Sequence, residues 1–510
     1  MTAKIAIIGA GVGGLTTGAL LAQAGYDVTV LEAHVYPGGC AGTFYHGGYR
    51  FDAGATLAGG FQPGGPHHIV GQALGITWPV RRAEPAWITR LPDREIVRWG
   101  LEDRWEAERE AKLPAMRGFW RQQEAVADIV WRFAARVPPY PPANAGDVLR
   151  LASKIRPPMV PIAPLALMSF GQWLALNRIH DRASRAFIDG QLLISAQVTA
   201  ERANALYGAI AMDLPRAGAM HIQDGIGALA KTLVEALRAQ GGTYQQRQRV
   251  EKIMPLDDER YRLETNKGLA LEADAIVANL TPWGLQDVLG EAAPANLRRE
   301  TQQRGDTWGA FTIYLGVDAD AVAGDCDHYQ IISDYDAPPG EGNTVFISLN
   351  DPQDEGRAPA GQRTVTMSTH TNIARWFEVQ AYGDAAYEAR RADYQERMLR
   401  AAETVFPDIR RKANLIMNGT PQTFQFFTRR PRGMVGGFPQ TSLLSARGPQ
   451  TGLRNLWLVG DSVFPGQSTA GVTAGGMRVA ADVARALGAR DGAARHISLR
   501  PQPSRSVAGR

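Results

Sequence analysis

The sequence contains little cysteine and little excess charge. Its two cysteines, Cys40 and Cys326, are too few for a disulfide framework or a thiolate zinc set, which fits a reducing cytoplasm. A pairing of the two with each other stays open. The formal net charge is only +4, and much of the excess lies in the tail from Arg495, which is predicted to be disordered. We therefore predict no nucleic-acid partner.

Charge is absent from the first strongly apolar stretch, residues 5–26, which is about long enough to span a bilayer. Its glycines argue against a lipid-facing helix, because such a helix needs side chains that fill volume. A basic leader and a small-residue cleavage site are also lacking, which argues against a secretory signal peptide. A strand, a tight turn and a helix explain the stretch better.

The order of elements in this region is that of a nucleotide-binding unit. The apolar run at residues 5–8 predicts a buried parallel strand, residues 15–24 predict a helix that ends at Gly25, and residues 28–31 predict a second strand. A helix start offers unpaired N–H groups and roughly half a positive charge to phosphates.

The glycine spacing and one carboxylate make this signal specific. Gly9, Gly11 and Gly14 follow the pattern that gives a tight turn, a close backbone approach to a pyrophosphate and close packing of the helix. Glu32 lies eighteen positions after Gly14, close to the roughly 20 expected for a carboxylate that binds the adenosine ribose. The N-terminal block therefore predicts a dinucleotide site.

Signals of the same kind recur in two later parts of the chain. An amphipathic helix with a glycine stop is predicted at residues 225–242, followed by strands around Val250 and at residues 275–278. Near the C-terminus, a strand at residues 456–459 runs into a polar glycine-rich loop and a helix from about Gly471. One nucleotide domain built from three segments is the simplest explanation.

The intervening segments predict a second domain, as expected for a chain of 510 residues. Residues 126–137 show one apolar helix face, and strand-like runs lie at residues 309–317, 344–349 and 364–369. The predicted fold is therefore α/β, with a discontinuous Rossmann-like dinucleotide-binding domain and an α+β substrate domain that contains a mixed or antiparallel sheet and helices. The predicted limits are 1–75, 225–290 and 415–490 for the nucleotide domain, 76–224 and 291–414 for the substrate domain, and 491–510 for the disordered tail.

Three motifs carry a resemblance to a known family. The N-terminal fingerprint, "PGGCAGTFYHGGYRFDAGATLAGGFQPGGPHH" and "LVGDSVFPGQSTAGVTAGGMRVAADV" resemble the FAD-dependent carotenoid desaturases and isomerases, the phytoene-desaturase-like flavoproteins. The resemblance covers essentially the whole chain except the tail. Within that family, "CAGTF" followed by "DAGATLAGGFQPGGPHH" looks most like the desaturases that act at the C-3',4' position of an already modified carotenoid.

The resemblance implies FAD as the cofactor and a set of twelve contacts. At the nucleotide end these are Gly9, Gly11 and Gly14 at the pyrophosphate, Glu32 at the adenosine ribose and Val250 at the adenine. Gly38 and Gly39 lie in the loop under the cofactor. The C-terminal motif contributes Gly460 and Asp461, with Asp461 at the ribityl chain or pyrophosphate, and Gly471, Val472 and Thr473 beside the isoalloxazine. Glycine lets backbone groups approach without a Cβ clash, and a helix start stabilises negative charge on reduced flavin.

The motif also departs from the wider flavoprotein group at one position. Many members have an arginine directly after the double glycine, and Cys40 stands there in this chain, so that contact must come from elsewhere or be absent. Cys40 is expected to pack rather than act as a redox thiol. His67 and His68 are adjacent, a poor geometry for chelation, and are expected in a loop or cavity with no metal.

The resemblance implies dehydrogenation of a carotenoid by hydride transfer to the flavin, with a quinone or oxygen as the electron acceptor. No paired acid and base stands out in the sequence, so no catalytic residue is named. Three alternatives stay open: a carotenoid isomerase that uses reduced FAD, an amine oxidase on a related fold, and a flavin-free lipid-escort protein.

A carotenoid substrate implies contact with a membrane surface. Residues 157–177 carry no charge, yet Pro161 and Pro164 would break a spanning helix. We expect this segment either to rest in the membrane surface as an apolar entrance or to be an ordinary buried part of the substrate domain. The expected location is the cytoplasm, peripherally associated with the cytoplasmic membrane.

Overall fold

Two large β-sheets organise the computed structural model, which describes residues 2–305, 307–491, Ile497 and Leu499. The described strands are β1 (Lys4–Ile8), β2 (Asp27–Leu31), β3 (Thr43–His46), β4 (Tyr49–Asp52), β5 (Val80–Arg82), β6 (Trp87–Arg90), β7 (Glu95–Arg98), β8 (Met220–Ile222), β9 (Thr243–Gln245), β10 (Val250–Pro255), β11 (Tyr261–Thr265), β12 (Ala270–Ala273), β13 (Ala275–Ala278), β14 (Trp308–Asp318), β15 (His328–Ile332), β16 (Thr344–Leu349), β17 (Gln362–Asn372), β18 (Ala413–Gly419) and β19 (Leu456–Leu458).

Helices cover both large sheets. They are α1 (Val12–Gln23), α2 (Pro66–Leu74), α3 (Glu102–Lys112), α4 (Arg117–Ala134), α5 (Ala145–Ala152), α6 (Phe170–Leu176), α7 (Arg182–Ala196), α8 (Ala205–Gly218), α9 (Ala228–Ala239), α10 (Pro282–Leu289), α11 (Ala295–Gln303), α12 (Ile373–Ala381), α13 (Asp384–Glu403), α14 (Pro421–Thr428) and α15 (Thr469–Asp491). Short 3₁₀ turns lie at Gly39–Ala41, Pro114–Met116, Pro157–Met159, Ala163–Leu167, Gly290–Ala292, Ala319–Val322 and Pro431–Gly433.

The first sheet is parallel and has the order β19-β13-β1-β2-β9. Ile5 of β1 pairs with Ala275 on one side and Val28 on the other. Strand β1 is buried on both faces from its second residue, as its continuous apolar run predicts for a central parallel strand. Helices α1, α9 and α15 pack in one core with this sheet, so the sheet unites three separated parts of the chain, as predicted.

The predicted helices exist, but two of them begin earlier than expected. Helix α1 begins at Val12 rather than at residue 15 because Gly13 and Gly14 join it as buried, close-packed residues. Helix α15 begins at Thr469, two residues before Gly471, directly after Ser468, which has a left-handed φ of 76°.

The second sheet has seven strands in the order β18-β14-β17-β16-β15-β6-β7. Its pairs are antiparallel except for β15 and β6, which run parallel, so the predicted mixed sheet is confirmed. One face packs in an apolar core with α12 and α13. The other face carries polar side chains, including Thr312, Thr366 and Ser348, which alternate with the core residues along their strands.

Two sequence predictions for this part of the chain need correction. The sequence predicts that the apolar helix face extends to Val137. In the structure, α4 ends at Ala134 and Val137 has a left-handed φ of 48°. The domain limit at residue 415 falls inside β18, which pairs with β14 in the seven-stranded sheet. The other domain limits stay predictions.

Residues 157–177 form 3₁₀ turns followed by α6. Across the described residues, no helix combines the length and apolar character needed to cross a membrane. The predicted disordered tail, residues 491–510, lies outside the described residues apart from Asp491, Ile497 and Leu499.

Candidate functional site

The glycine turn between β1 and α1 is shaped by backbone contacts. The Gly9 N–H donates to the Leu31 carbonyl over 2.8 Å, with a left-handed φ of 90° at Gly9. A Cβ on Gly14 would lie 2.5 Å from the Gly9 carbonyl oxygen, so no larger residue fits without backbone movement. The predicted tight turn and close helix packing are therefore both present.

Glu32 sits at the carboxyl end of β2, beside this turn. Its Oε2 accepts a hydrogen bond from the Ala10 N–H, and its Oε1 accepts one from the His34 N–H, both over 2.7 Å. The carboxylate is therefore held at the edge of the loop. The Gln248 N–H donates to the Glu32 carbonyl over 2.8 Å, which places the start of β10, with the buried Val250, next to Glu32.

The double glycine joins the same site. Gly38 and Gly39 have left-handed φ values of 122° and 58°, which favour glycine. The Gly38 N–H donates to the Ala10 carbonyl over 2.9 Å, and Gly38 forms a parallel bridge with Gly11. The loop that was predicted to run under the cofactor therefore lies directly against the first glycine turn.

The C-terminal motif closes the site from the other side. A Cβ on Gly13 would lie 3.3 Å from the Val472 carbonyl oxygen and 3.4 Å from the Gly460 nitrogen. Gly460 has a left-handed φ of 114°. Residues that are more than 440 positions apart in sequence thus form one wall.

The start of α15 presents backbone rather than side chains to this wall. The Gly471 N–H donates to Ser468 Oγ over 3.0 Å, and a Cβ on Gly471 would lie 2.6 Å from the Gly466 carbonyl oxygen. Thr473 is fully buried, and its Oγ1 lies 3.4 Å from Nδ1 of His67. The Thr473 side chain therefore contacts α2, so an approach to flavin from this residue would use its backbone.

His67 is part of that packing and not of a loop. It lies in the first turn of α2, stacks on Phe61 and meets Trp78 edge to face. Burial lowers the pKa of His67 to about 3, so the imidazole is neutral at physiological pH.

Asn279 is a site residue that sequence analysis missed. It follows β13 directly, and its side chain lies where a Cβ on Gly11, Gly14 or Gly460 would be placed, with its Nδ2 2.3 Å from the position for Gly11. It thus ties the N-terminal turn to the C-terminal motif. The available signal was its position directly after the predicted strand at residues 275–278.

Arg430 is the second missed residue, and it answers the question raised by Cys40. Its Nη1 lies 3.3 Å from the Cys40 sulfur and 2.6 Å from Asp461 Oδ2, while Nη2 lies 2.8 Å from Asp461 Oδ1 and donates to the Gly436 carbonyl. Burial alone would lower the pKa of this guanidinium, but Asp461 and Cys40 raise it by more, so it stays charged. A cation is therefore present beside Cys40.

The site fits a phosphate-bearing flavin dinucleotide. Helix α1 begins in buried surroundings, and no side chain caps its first turn, so its N–H groups are available to an anion. The Nε of Arg430 is buried and has no hydrogen-bond partner among the described residues. Both features are satisfied by an anionic or carbonyl-bearing ligand lying between the glycine turn and Asp461.

Comparison with known proteins agrees with this geometry. Residues 7–68 match the family described as NAD(P)-binding Rossmann-like domain, and residues 108–484 match the family described as flavin containing amine oxidoreductase. The prolycopene isomerase of Arabidopsis thaliana is 26% identical over 509 residues, covering 94% of this chain and 82% of that protein. The phytoene desaturase of Cercospora nicotianae is 53% identical over 51 residues, covering 10% of this chain and 8% of that protein.

The fold is shared with a solved oxidase. Cyclohexylamine oxidase from Brevibacterium oxydans IH-35A superposes with a TM-score of 0.60 at 16% identity, covering 96% of this chain and 100% of that chain. Members of the matched family contain flavin, and the glycine turn with Glu32 forms a dinucleotide framework, so the cofactor is FAD. The chain is a flavin-dependent enzyme of the flavin containing amine oxidoreductase family, with carotenoid isomerases and a phytoene desaturase among its relatives.

Proposed function

We propose that the protein uses FAD to dehydrogenate a carotenoid, at the C-3',4' position of a hydroxylated or monocyclic intermediate. The motif around Cys40 supports the position of attack, and the relatives named above support the substrate class. The structural observation that carries the proposal is a concentration of exposed apolar side chains in one segment of the chain.

These side chains, here called the apolar rim, lie within residues 148–176. These residues hold six of the fifteen large apolar side chains that are exposed in the described part of the chain: Val148, Leu149, Ile155, Val160, Leu167 and Leu176. Leu149 and Leu167 are each 73% exposed. Soluble surfaces seldom concentrate apolar groups in this way unless they bind something apolar.

Basic side chains accompany the apolar rim. Lys154 and Arg156 lie between its halves, and Arg178 follows it. Apolar groups rimmed by cations are typical of a surface that rests on anionic lipid headgroups. The exposure of residues 157–167 supports a membrane-resting entrance there, whereas Phe170, Trp173 and Leu174 of α6 are buried in the apolar core.

A lipid-soluble substrate explains why the enzyme would need a surface that contacts the membrane. Burying about 500 Å² of carotenoid surface is worth roughly 12 kcal/mol at 25 cal/mol per Å², so almost none of the substrate is free in water. A carotenoid in the bilayer has already gained that stabilisation. An enzyme that rests on the cytoplasmic face of the membrane can take the substrate directly from lipid.

The residues of the chain then act mainly by positioning. FAD bound at this site would supply the acceptor for a hydride from an allylic carbon, and a quinone or oxygen would serve as the final electron acceptor. The glycine framework holds the cofactor, and the start of α15 stabilises negative charge that develops next to it. The polyene delocalises the developing cation and makes the neighbouring C–H acidic, so a strong base is not required.

The test is reconstitution of the FAD-loaded protein in liposomes that contain a 1-hydroxylated or monocyclic carotenoid. A product lighter by two hydrogens, with a red-shifted absorption spectrum, is the expected result relative to an enzyme-free control. A purified protein that carries no flavin and binds none would contradict the proposal and favour a lipid-escort role.

Cis-trans isomerisation is a second candidate, favoured by a specific observation. The prolycopene isomerase relative aligns with 94% of this chain, whereas the desaturase relative aligns with only 10%. An isomerase would act with reduced FAD and give a product of unchanged mass and altered geometry in the same liposome assay.

A further inference from the structure

A chain of hydrogen-bonding groups runs across β16 and β15 of the seven-stranded sheet to the neighbouring β8. Thr56 Oγ1 lies 2.6 Å from Ser348 Oγ, and Ser348 Oγ lies 2.8 Å from His328 Nδ1. His328 Nε2 then lies 3.3 Å from His221 Nδ1. His221 Nε2 lies 3.5 Å from Asp327 Oδ2. Four consecutive contacts thus link Thr56 to a carboxylate without a break.

The strands fix this alignment. Ser348 on β16 and His328 on β15 are register partners in an antiparallel pair, so their side chains project from the same face of the sheet. His221 is the middle residue of β8, and its ring meets that of His328 with centroids 4.7 Å apart. The two imidazoles are held by separate sheets and not by a flexible loop.

The inner end of the chain lies beside the cofactor site. A Cβ on Gly54 would lie 3.4 Å from the Cys40 carbonyl oxygen, and a Cβ on Gly60 would lie 2.7 Å from the Ala470 side chain. The segment from Gly54 to Gly60 therefore runs from the double-glycine loop to the start of α15. Thr56 lies between these two contacts.

The outer end of the chain reaches water. All four side chains, Thr56, Ser348, His328 and His221, line one polar pocket of about 180 Å³ that opens to solvent. Asp327, beyond His221, is fixed by Arg363 Nη2 at 2.6 Å from its Oδ1, and Arg81 and Asp351 form an ion pair at the rim of the pocket. A proton that reaches His221 can therefore leave to water.

Both imidazoles are neutral. Burial lowers the pKa of His328 well below its ordinary value, and His221, Arg363 and Arg81 add to that effect. Burial also lowers the pKa of His221, against the opposing charge of Asp327. A neutral imidazole has one N–H and one acceptor nitrogen, so one ring can donate a hydrogen bond to the other across their 3.3 Å contact.

We propose that Thr56, Ser348, His328 and His221 conduct protons between the FAD site and the water next to Asp327. This role rests on the proposed function, in which each dehydrogenation transfers a hydride to oxidised FAD and releases one proton from the neighbouring carbon. Each group in the chain accepts one proton and passes one on, so one proton enters at Thr56 and one leaves at His221. The two rings exchange tautomers in the process.

An isomerase would use the same chain in both directions. A proton delivered to the polyene and later recovered would return both imidazoles to their starting tautomers within one turnover. The chain thus serves either direction of proton movement.

The first measurement needs no substrate. Nitrogen-15 spectra of the histidine-labelled protein before FAD is added report the protonation of each ring nitrogen. We expect one proton shared by the facing nitrogens, His328 Nε2 and His221 Nδ1. Protons on both of these nitrogens, or on neither, would break the chain at that contact and overturn the proposal whether or not the enzyme acts on carotenoids.

The second measurement is anaerobic flavin reduction by the carotenoid in a single turnover, with a pH-indicator dye to follow proton release. Ser348→Ala and His328→Gln are expected to slow both signals by at least about tenfold and to raise the solvent isotope effect, with FAD and substrate affinity unchanged. Thr56→Val is expected to behave like Ser348→Ala.

Conservative variants separate conduction from structure. Ser348→Thr and Thr56→Ser retain a hydroxyl and should keep the wild-type rate, as should His46→Gln on the exposed end of β3. A Ser348→Ala protein that folds, binds FAD and reduces it at the wild-type rate would refute the proposal. A wild-type protein whose flavin the carotenoid never reduces would instead refute the proposed function. The nitrogen-15 spectra would still test the proton-conducting chain in that case.

Discussion

The guanidinium of Arg430 binds the carboxylate of Asp461 through two contacts of 2.6 and 2.8 Å, in a pocket whose third member is the Cys40 sulfur. Arg430 and Asp461 are 31 positions apart in sequence, whereas Cys40 lies 390 positions before Arg430. Two-point pairing of this kind fixes the orientation of an arginine as well as its charge. The cation that the N-terminal motif lacks is thereby supplied from the segment after α14.

Arg430→Gln is expected to weaken FAD binding by about 10- to 100-fold, because a hydrogen bond to a charged group is worth about 1.5–3 kcal/mol. The measurement is a titration of the FAD-free protein with FAD, followed by flavin fluorescence. The matched control is Arg429→Gln, which changes the adjacent, exposed arginine. Equal affinities for the two variants would show that Arg430 has no part in holding the cofactor.

Gly14→Ala is expected to destabilise the protein by about 1–3 kcal/mol and to reduce FAD binding, because its Cβ would meet the Gly9 carbonyl oxygen at 2.5 Å. Gly118→Ala is the control, since Gly118 lies in α4 with open space around its Cβ position. That variant should gain about 0.5–1 kcal/mol. Urea unfolding of both variants checks the pair, and a Gly14→Ala protein as stable as wild type would contradict the close packing.

The double variant Leu149→Glu with Leu167→Glu should lose most of its binding to anionic liposomes, because each leucine withdrawn from lipid costs about 1.5–3 kcal/mol. Co-sedimentation with vesicles measures this directly. Tyr382→Glu is the control, since Tyr382 is 84% exposed but lies outside the apolar rim. If the double variant and the wild type bind the vesicles equally well, the apolar rim does not bind the membrane.

His67 predicts a specific loss of stability in acid. Its pKa is about 3 in the folded protein and 6.5 when unfolded, so between these values the unfolded chain holds a proton that the folded protein does not. The free energy of unfolding therefore falls as pH falls through this window, by up to about 1.4 kcal/mol per pH unit. His67→Gln should reduce the slope between pH 5.5 and 4.5 in urea unfolding curves by up to that amount, and His46→Gln should leave it unchanged.

The cofactor framework was predictable because its signals are local. The strand, glycine turn, helix and carboxylate between β1 and Glu32 lie within about thirty consecutive residues, so their spacing alone defines the geometry. Strand β13 was also predictable from a local pattern, and its predicted limits agree with the structure. The strand-like runs that predicted the mixed sheet are local patterns as well.

Other features depend on contacts that no local pattern encodes. Cys40 showed that a cation was needed, but only the fold brings Arg430 to it. The proton-conducting chain was equally hidden, because β8 and β15, which carry its two histidines, were not predicted as strands. Burial then sets the protonation state of those histidines, and burial is a property of the completed fold.

The pairing of β13 with β19 has a consequence for the order in which the protein is made. Strand β19, at Leu456–Leu458, completes the parallel sheet beside residues 275–278, and the wall that Gly13 forms with Gly460 and Val472 cannot exist before those residues have been synthesised. Such distant contacts are slow to form and leave apolar strands unpaired meanwhile. The ribosome must therefore synthesise the chain at least as far as Val472 before FAD has a complete site to bind, so cofactor capture follows that step and the nascent chain is exposed to aggregation until then.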